Sequence, residues 1–310
     1  MTRRAIDLFV NPTAGAKRGS RSSDPLRDPE QLCDQLTRLG LDVDFRVLEP
    51  EDDLTELARA TAARGSDVVV AGGDGTAAGA ATGLVGSEAT LGIIPFGTFN
   101  NIARGMGLPL EPADAVQRIG QGSSTRVDVG LAWQLKDSAN LSELSPPTDS
   151  AVFFEAVGAG LDAAGFGLAK LGEGQLWTAL TASWRVLSWR KRPISLRLDG
   201  RAYRAVSPAV VVCNGPYLGL GFALAPNADA SDGQLDVVIF RRMSRLQVLR
   251  HFLSIAGRQR HREPRVEIRH AQEVVILGGA DPLPVHADGE SIGTTPIAVV
   301  VRPGALRLFR

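Results

Sequence analysis

The stretch VVVAGGDGTAAGA, residues 68–80, decides the fold. Its valines form a short continuous apolar run, the pattern of a strand covered on both faces. The run ends in Gly72-Gly73-Asp74-Gly75-Thr76. Glycine costs backbone entropy there, and a carboxylate at the end of a buried strand must find a partner or water. A cluster of that composition is expected where something approaches the backbone closely. A helix N-terminus is expected to follow at Thr76.

Working outward, strand and helix signals alternate. Ile6–Val10 reads as a strand ending in the turn Asn11-Pro12-Thr13-Ala14-Gly15, and the polar loop AKRGSRSSDPLRD follows. Asp28 is placed to N-cap a helix with Pro29 at its first position and Gln31 three residues on. Leu32, Leu36 and Leu39 line one face and Gly40 stops it. A strand at 42–48, a helix near 52–64, the strand at 67–71, another helix and the strand TLGIIPFG complete the half. Short apolar strands separated by helices imply a parallel sheet, whose ligands sit beyond the carboxyl ends of the strands. Three loops end there: NPTAG, GGDGT and PFGTFNN.

After Leu131 the polar stretch WQLKDSANLSELSPPTDSA reads as an exposed loop. Strands then dominate. ISLRLDGRAYRAV alternates around Asp199-Gly200, a hairpin signal, and QLDVVIFRR, RVEIRH, EVVILGG, LPVHADGESIG and PIAVVVRP continue the pattern. The expected architecture is an N-terminal α/β domain with a parallel sheet over residues 1–130. An antiparallel β-rich, sandwich-like domain follows over 131–310, its last strand free to return to the first domain.

Composition narrows the function classes. The chain has 310 residues, 44% hydrophobic and 22% charged, with Lys+Arg and Asp+Glu equal at 34 each. Zero net charge disfavours nucleic acid as the main partner. The two cysteines, Cys33 and Cys213, lie far apart in apolar surroundings, which argues against a disulfide scaffold or a zinc site. No uninterrupted apolar window approaches the length of a membrane span, and the N-terminus reads as a first strand, not a signal peptide. A cytoplasmic location is expected. His251, His261, His270 and His286 have no metal-ligand spacing, and no G-x-S-x-G elbow is present.

The loops carry the chemistry. Gly72, Gly73 and Gly75 leave backbone N–H groups free to approach phosphate oxygens beside a helix N-terminus. Asp74 repels phosphate unless a divalent cation stands between them, and magnesium is the usual one with nucleotides. Thr76 and Thr98 can donate hydroxyl hydrogen bonds to the same phosphates. The plain alternative is a tight strand-to-helix turn with Asp74 as a cap. Likewise DASDG, residues 229–233, also reads as an Asp-rich turn, and HADGE, residues 286–290, as a hairpin tip. Both readings can hold together, because catalytic groups sit on turns held by rigid strands.

The three loops in this order, with Ala103-Arg104 after the third and with PNADASDGQLDVVIF and HADGE late in the chain, resemble the diacylglycerol kinase catalytic-domain family. That family includes bacterial diacylglycerol kinases and YegS-like lipid kinases, with sphingosine kinases as relatives. The resemblance implies a two-domain lipid kinase with ATP in the cleft. It places ATP at Asn11, Pro12, Thr13, Ala14 and Gly15, at Gly72, Gly73, Asp74, Gly75, Thr76, Ala77 and Ala78, and at Thr98 and Asn100. Arg46, where a threonine is usual, is a further contact. It places the general base for the lipid hydroxyl in Asp288-Gly289-Glu290; Glu290 is favoured, with Asp288 as a cleft or metal partner. A structural magnesium is implied at Asp229, Asp232 and, through its backbone carbonyl, Gln234.

One departure from the family is Asn101, where many members have an aspartate that joins the GGDGT acid and magnesium; Asp128 is retained as a candidate third member. Trp177, Leu180, Trp184 and Leu187 form a helical stripe closed by Arg190, Lys191 and Arg192. It suits either an anionic bilayer or packing against the β-domain, and the family's apolar helix at this place favours packing. The expected partner is a lipid substrate at a membrane surface, with peripheral attachment at the inner face and a homodimer both open. A soluble-substrate kinase of the NAD-kinase type, which shares GGDGT, and a non-catalytic nucleotide- or lipid-binding protein are the rivals.

Overall fold

The computed structural model describes residues 4–15, 25–135, 144–160, 192–219, 221–256, 263–278 and 281–310. The chain divides into two compact units, Met1–Asp128 with Gly304–Arg310, and Val129–Pro303.

The first unit is α/β. Its elements are β1 (Ala5–Val10), α1 (Pro29–Arg38), β2 (Asp42–Val47), α2 (Leu54–Ala63), β3 (Asp67–Gly72), α3 (Asp74–Leu84), β4 (Thr90–Pro95), α4 (Asn101–Gly105), α5 (Pro112–Gln121) and the start of β5 (Ser124–Gln134). The strand order is β2-β1-β3-β4, all parallel, and the last residues of the C-terminal strand add to β4 in parallel. Every residue of β3 and β4 is buried, as a sheet covered on both faces requires. Ile6, Leu8, Val69 and Ile94 pack with Leu32 and Leu36 of α1 and with Ile119 of α5. The caps explain where helices begin. Asp28 accepts from the Glu30 and Gln31 amides, and Asp53 from Thr55 and Glu56. β2 is the edge strand, and almost all of it is exposed.

The second unit is an antiparallel sandwich. Its elements are β6 (Ala151–Phe153), β7 (Ala156–Gly160), β8 (Arg192–Leu198), β9 (Arg201–Ser207), β10 (Ala209–Cys213), β11 (Tyr217–Leu218), β12 (Phe222–Ala223), β13 (Leu235–Phe240), α6 (Arg245–Ala256), β14 (Val266–Ala271), β15 (Glu273–Gly278), β16 (Pro284–Ala287), β17 (Glu290–Thr294) and β18 (Ile297–Phe309). One layer runs β14-β13-β10-β7-β16-β17; the other carries β18, β15, β8 and β9. Val157, Val210, Val212, Val237 and Ile239 of the first layer pack against Ile194, Leu196, Val274, Ile276, Ile297 and Val299 of the second. On the outer face of the first layer, Val211, Cys213, Val238 and Phe240 pack with Met243 and with Val248 of α6. The β8–β9 hairpin turns at Asp199-Gly200 with φ of 48° and 76°, the left-handed pair that its two-residue turn needs.

Two expectations change. α3 opens at Asp74 and not at Thr76, because Gly73 is its N-cap. Arg192 opens β8 and does not close a helix. The Trp177–Leu187 stripe lies outside the described residues. Among those described, no helix is long and apolar enough to cross a membrane.

Candidate active site

The three loops at the carboxyl ends of β1, β3 and β4 form one hydrogen-bonded body in the first unit. The Asn11 amide donates to Ala71 O and the Phe96 amide to Gly72 O, at 2.9 and 2.8 Å. Asn11 Nδ2 donates to Thr76 Oγ1 at 2.9 Å, while its Oδ1 accepts from the Thr13 amide and hydroxyl at 3.0 and 2.8 Å. Asp74 Oδ1 accepts the Ile102 amide at 3.0 Å, so it ties GGDGT to the first turn of α4. Asn100, left-handed at φ 49°, closes its loop by accepting the Gly97 amide at 2.9 Å and donating to Gly97 O at 3.0 Å.

The glycines divide into two kinds. A Cβ on Gly72 would lie 2.5 Å from the Thr76 side chain, and one on Gly97 would lie 2.7 Å from Gly73 Cα. Gly15, at φ +64°, would put a Cβ 2.0 Å from Phe96 O. Gly15 and Gly97 are glycine because the loops touch each other, and Gly72 because the Thr76 side chain of its own loop folds against it. Gly75 differs: it is exposed, and a Cβ there would have nothing within 4 Å. Gly73 has no side chain to cap α3, and the Ala77 amide is the first of that turn to reach its acceptor, Gly73 O at 2.9 Å. The amides of Gly75 and Thr76 therefore stand outside the helical ladder, at a helix N-terminus whose dipole favours an anion. The second carboxylate oxygen of Asp74 and the exposed Thr98 hydroxyl have no hydrogen-bond partner among the described residues.

Arg27, which sequence reading missed, clamps the body. Its Nη1 donates to Ala14 O at 2.6 Å and its Nη2 to Phe96 O at 3.3 Å, with the guanidinium 4.7 Å from the Phe96 ring centre. Pro12, Thr13, Ala14 and Gly15 lie in the loop it holds, Ala77 is buried and Ala78 half-buried in α3. Arg46 is exposed on β2 and paired with Asp52. Asn101 is buried at the start of α4. Buried Asp128 accepts the Gly304 amide of β18 at 2.8 Å.

In the second unit HADGE is the tip of the β16–β17 hairpin, with Asp288 and Gly289 at φ 45° and 87°. The two acids have different surroundings. Asp288 accepts the amides of Phe154, Glu155 and Ala156 at 2.6, 2.9 and 3.0 Å, and its own amide returns to Ala156 O. That carboxylate is an anchor. Glu290 is exposed one residue beyond the turn. Asp288 thereby fixes Glu155, a buried acid whose Oε2 accepts the Gly219 amide at 3.0 Å. Glu155 was also missed; a lone acid in the apolar run AVFFEAVGAG was the available signal.

Asp229 and Asp232 share one loop. Asp229 Oδ1 accepts from the Ser231 amide and hydroxyl, and Asp232 Oδ1 from the Gln234 amide. Each leaves its second oxygen without a hydrogen bond among the described residues. Two carboxylates with a nearby carbonyl suit a hard cation in donor type. No three His, Cys, Asp or Glu side chains among the described residues gather closely enough to hold one. Burial pushes the carboxyl of nearby Asp236 above its ordinary value; His270, 3.5 Å away, opposes the rise and Asp232 adds to it.

The chain matches two family models: the diacylglycerol kinase catalytic domain over residues 5–132 and the YegS C-terminal NAD kinase beta sandwich-like domain over 155–310. It is 30% identical over 279 residues to a "Diacylglycerol kinase" of Mycobacterium tuberculosis, covering 89% of this chain and 87% of that one. It is 31% identical to "Probable lipid kinase YegS-like" of Pseudomonas putida, covering 91% and 90%. A crystal structure from Bacillus anthracis superposes with a TM-score of 0.75 at 25% identity, over 99% of this chain and 97% of that one. With matches that span both units and relatives aligned over nearly their whole length, the chain belongs to the family of bacterial diacylglycerol kinases and YegS-like lipid kinases.

Proposed function

We propose that this lipid kinase transfers the γ-phosphate of ATP to the hydroxyl of a diacylglycerol-like lipid. The observation that carries the reading is the body formed by NPTAG, GGDGT and PFGTFNN. It carries two amides at the start of α3 outside the helical ladder, open space at Gly75, the exposed Thr98 hydroxyl and an Asp74 whose second oxygen has no hydrogen bond among the described residues. The amides and hydroxyl suit phosphate oxygens. Asp74 suits the cation that accompanies them, and Asn11 and Arg27 keep the loops in register. Glu290 accepts the proton of the attacking hydroxyl, and Asp288 keeps the turn below it fixed. A general base of this kind contributes about 10²–10⁴-fold. Asp74 would hold magnesium with the nucleotide, and Asp229, Asp232 and the Gln234 carbonyl would hold a structural ion; when bound, the metal would supply charge neutralisation and orientation.

The test is label transfer from γ-labelled ATP, with magnesium, to diacylglycerol, monoacylglycerol, phosphatidylglycerol, ceramide and sphingosine in mixed micelles, with NAD as the soluble control. Labelled lipid that disappears in Asp74→Ala and Glu290→Gln supports the reading and names the acceptor. Label on NAD alone, or ATP binding without any transfer, rejects it.

A further inference from the structure

The second unit turns one tight corner beside the proposed base. β6 belongs to the sheet of β18 and β7 to the other layer, and Phe154 and Glu155 are all that joins them. A corner this short leaves backbone groups outside both ladders, and each must find a partner. Asp288 takes the amides of Phe154, Glu155 and Ala156 at 2.6, 2.9 and 3.0 Å. Glu155 O takes the amides of Asn214 and Gly215 at 3.0 and 3.4 Å, and Asn214 Nδ2 donates to Phe154 O at 3.4 Å. Glu155 thus stands between the hairpin tip that carries Glu290 and the segment that follows β10.

Its side chain reaches further along that segment. Glu155 is only 8% exposed, and its Oε2 accepts the Gly219 amide at 3.0 Å. Gly219 directly follows β11, in the short β11–β12 hairpin. Leu218 before it is buried with Val211, Cys213 and Val238, so the hairpin is pinned by its core residue and, one position on, by Glu155. One residue therefore binds both loops: its amide holds Asp288, its carbonyl holds Asn214 and Gly215, and its carboxylate holds Gly219. A charged acceptor makes the last of these contacts a strong one.

We infer that Glu155 is a positioning residue for phosphate transfer: by tying the β11–β12 hairpin to the corner under Asp288, it fixes the turn from which Glu290 meets the lipid hydroxyl. The inference rests on the lipid-kinase reading and deepens its acceptor side. Glu155, Asn214, Gly219, Asp288 and Glu290 all belong to the second unit, whereas the phosphate-facing loops belong to the first. Loss of Glu155 therefore acts on proton transfer and leaves nucleotide binding alone. A displacement of about 1 Å at a reacting group costs about 10²-fold in rate. The plain alternative is an acid that contributes stability and nothing else. The two roles part in one respect: a positioning residue has nothing left to position once Glu290 is gone.

The experiment is a double-mutant cycle on the full chain, with Glu155→Ala, Glu290→Gln and the two combined. Each protein is assayed for diacylglycerol phosphorylation in neutral detergent micelles at saturating ATP. Glu155→Ala is expected to lower kcat about 10²-fold, with ATP affinity by calorimetry unchanged. In the Glu290→Gln background the same change is expected to cost about twofold at most. Glu155→Gln keeps an acceptor at the same reach and is expected to be about tenfold faster than Glu155→Ala. Losses that multiply in the combined variant overturn the proposal, as does an unchanged kcat in Glu155→Ala. A Glu155→Gln protein as slow as Glu155→Ala also overturns it, because charge and not position is then at work. Amide exchange reads the tether without substrate: in Glu155→Ala it should quicken at both 217–219 and 288–290, and quickening at 217–219 alone shows that the tether stops short of the turn. If wild type labels no lipid, the kinase reading falls and takes the positioning role with it, while exchange still reports whether the two loops are tied. If wild type labels lipid and its kcat survives Glu155→Ala, the kinase reading stands and the positioning role falls.

Discussion

Replacing Gly97 by alanine places a methyl group 2.7 Å from Gly73 Cα and 2.6 Å from Asn100 Oδ1. Carbon atoms rest at about 3.5–4.0 Å, so the two loops must part by about 1 Å. Neither neighbour yields easily. Gly73 is backbone and caps α3, and the Asn100 side chain holds both the amide and the carbonyl of Gly97. Overpacking of this kind costs about 1–3 kcal/mol, which lowers the melting temperature by several degrees. A displacement of about 1 Å beside reacting groups costs about 10²-fold in rate. Gly75→Ala is the matched control, because its methyl meets nothing within 4 Å. There stability holds or rises slightly, as alanine replaces glycine inside a helix, while nucleotide affinity falls because the methyl occupies the space proposed for phosphate. Calorimetric ATP titration and thermal unfolding of both variants separate the two kinds of glycine. Wild-type behaviour of Gly97→Ala refutes the packing argument, and undiminished ATP affinity of Gly75→Ala refutes the ligand-facing role.

Four further outcomes are expected. Glu290→Gln should lower lipid phosphorylation by about 10²–10⁴-fold with an unchanged melting temperature, since the side chain is exposed; equal losses of rate and stability argue against a base there. Asp288→Asn turns an amide group toward three donors and should destabilise by about 1–3 kcal/mol, read from urea unfolding; wild-type stability means the anchor is unimportant. Arg27→Ala removes donors from Ala14 O and Phe96 O and should weaken ATP binding about tenfold, with unaltered affinity as the contrary result. Asp236 has its carboxyl raised by burial, so its charged form opposes folding: that penalty is absent below the ordinary carboxylate range and grows as pH rises through the raised value. Asp236→Asn should flatten this fall in urea-derived stability between acid and neutral pH, and parallel curves for the two proteins dismiss the account.

Much of the first unit was legible because its signals are local. Asp28 and Asp53 cap the helices that follow them, and the apolar runs of β3 and β4 are buried at every residue. The start of α3 was misread because Gly73 caps without a side chain, so no cap signal precedes Asp74. Arg27 was invisible for another reason: its role depends on Phe96, 69 positions along the chain. Arg46 was carried over by analogy with a threonine. On the exposed edge strand its longer, charged side chain pairs with Asp52, a contact no threonine makes.

The acids of HADGE show how far such legibility reaches. Composition marks Asp288 and Glu290 alike, and the Asp-Gly dipeptide marks a turn, but no local pattern divides the work between them. The division comes from tertiary placement. A two-residue hairpin turn needs left-handed backbone at both central positions, and Asp288 tolerates it better than a longer acid. That position sets its short carboxylate against the Phe154–Ala156 backbone, where three amides take its acceptor capacity. Glu290, one residue past the turn, begins β17 and remains exposed. Exchanging the two acids thus tests more than either deletion. Glutamate at 288 is too long to meet the three amides and strains the turn, so an Asp288→Glu, Glu290→Asp protein should lose stability as well as turnover. Retained stability shows that the turn accepts either acid, and the assignment of anchor and base must then rest on rate alone.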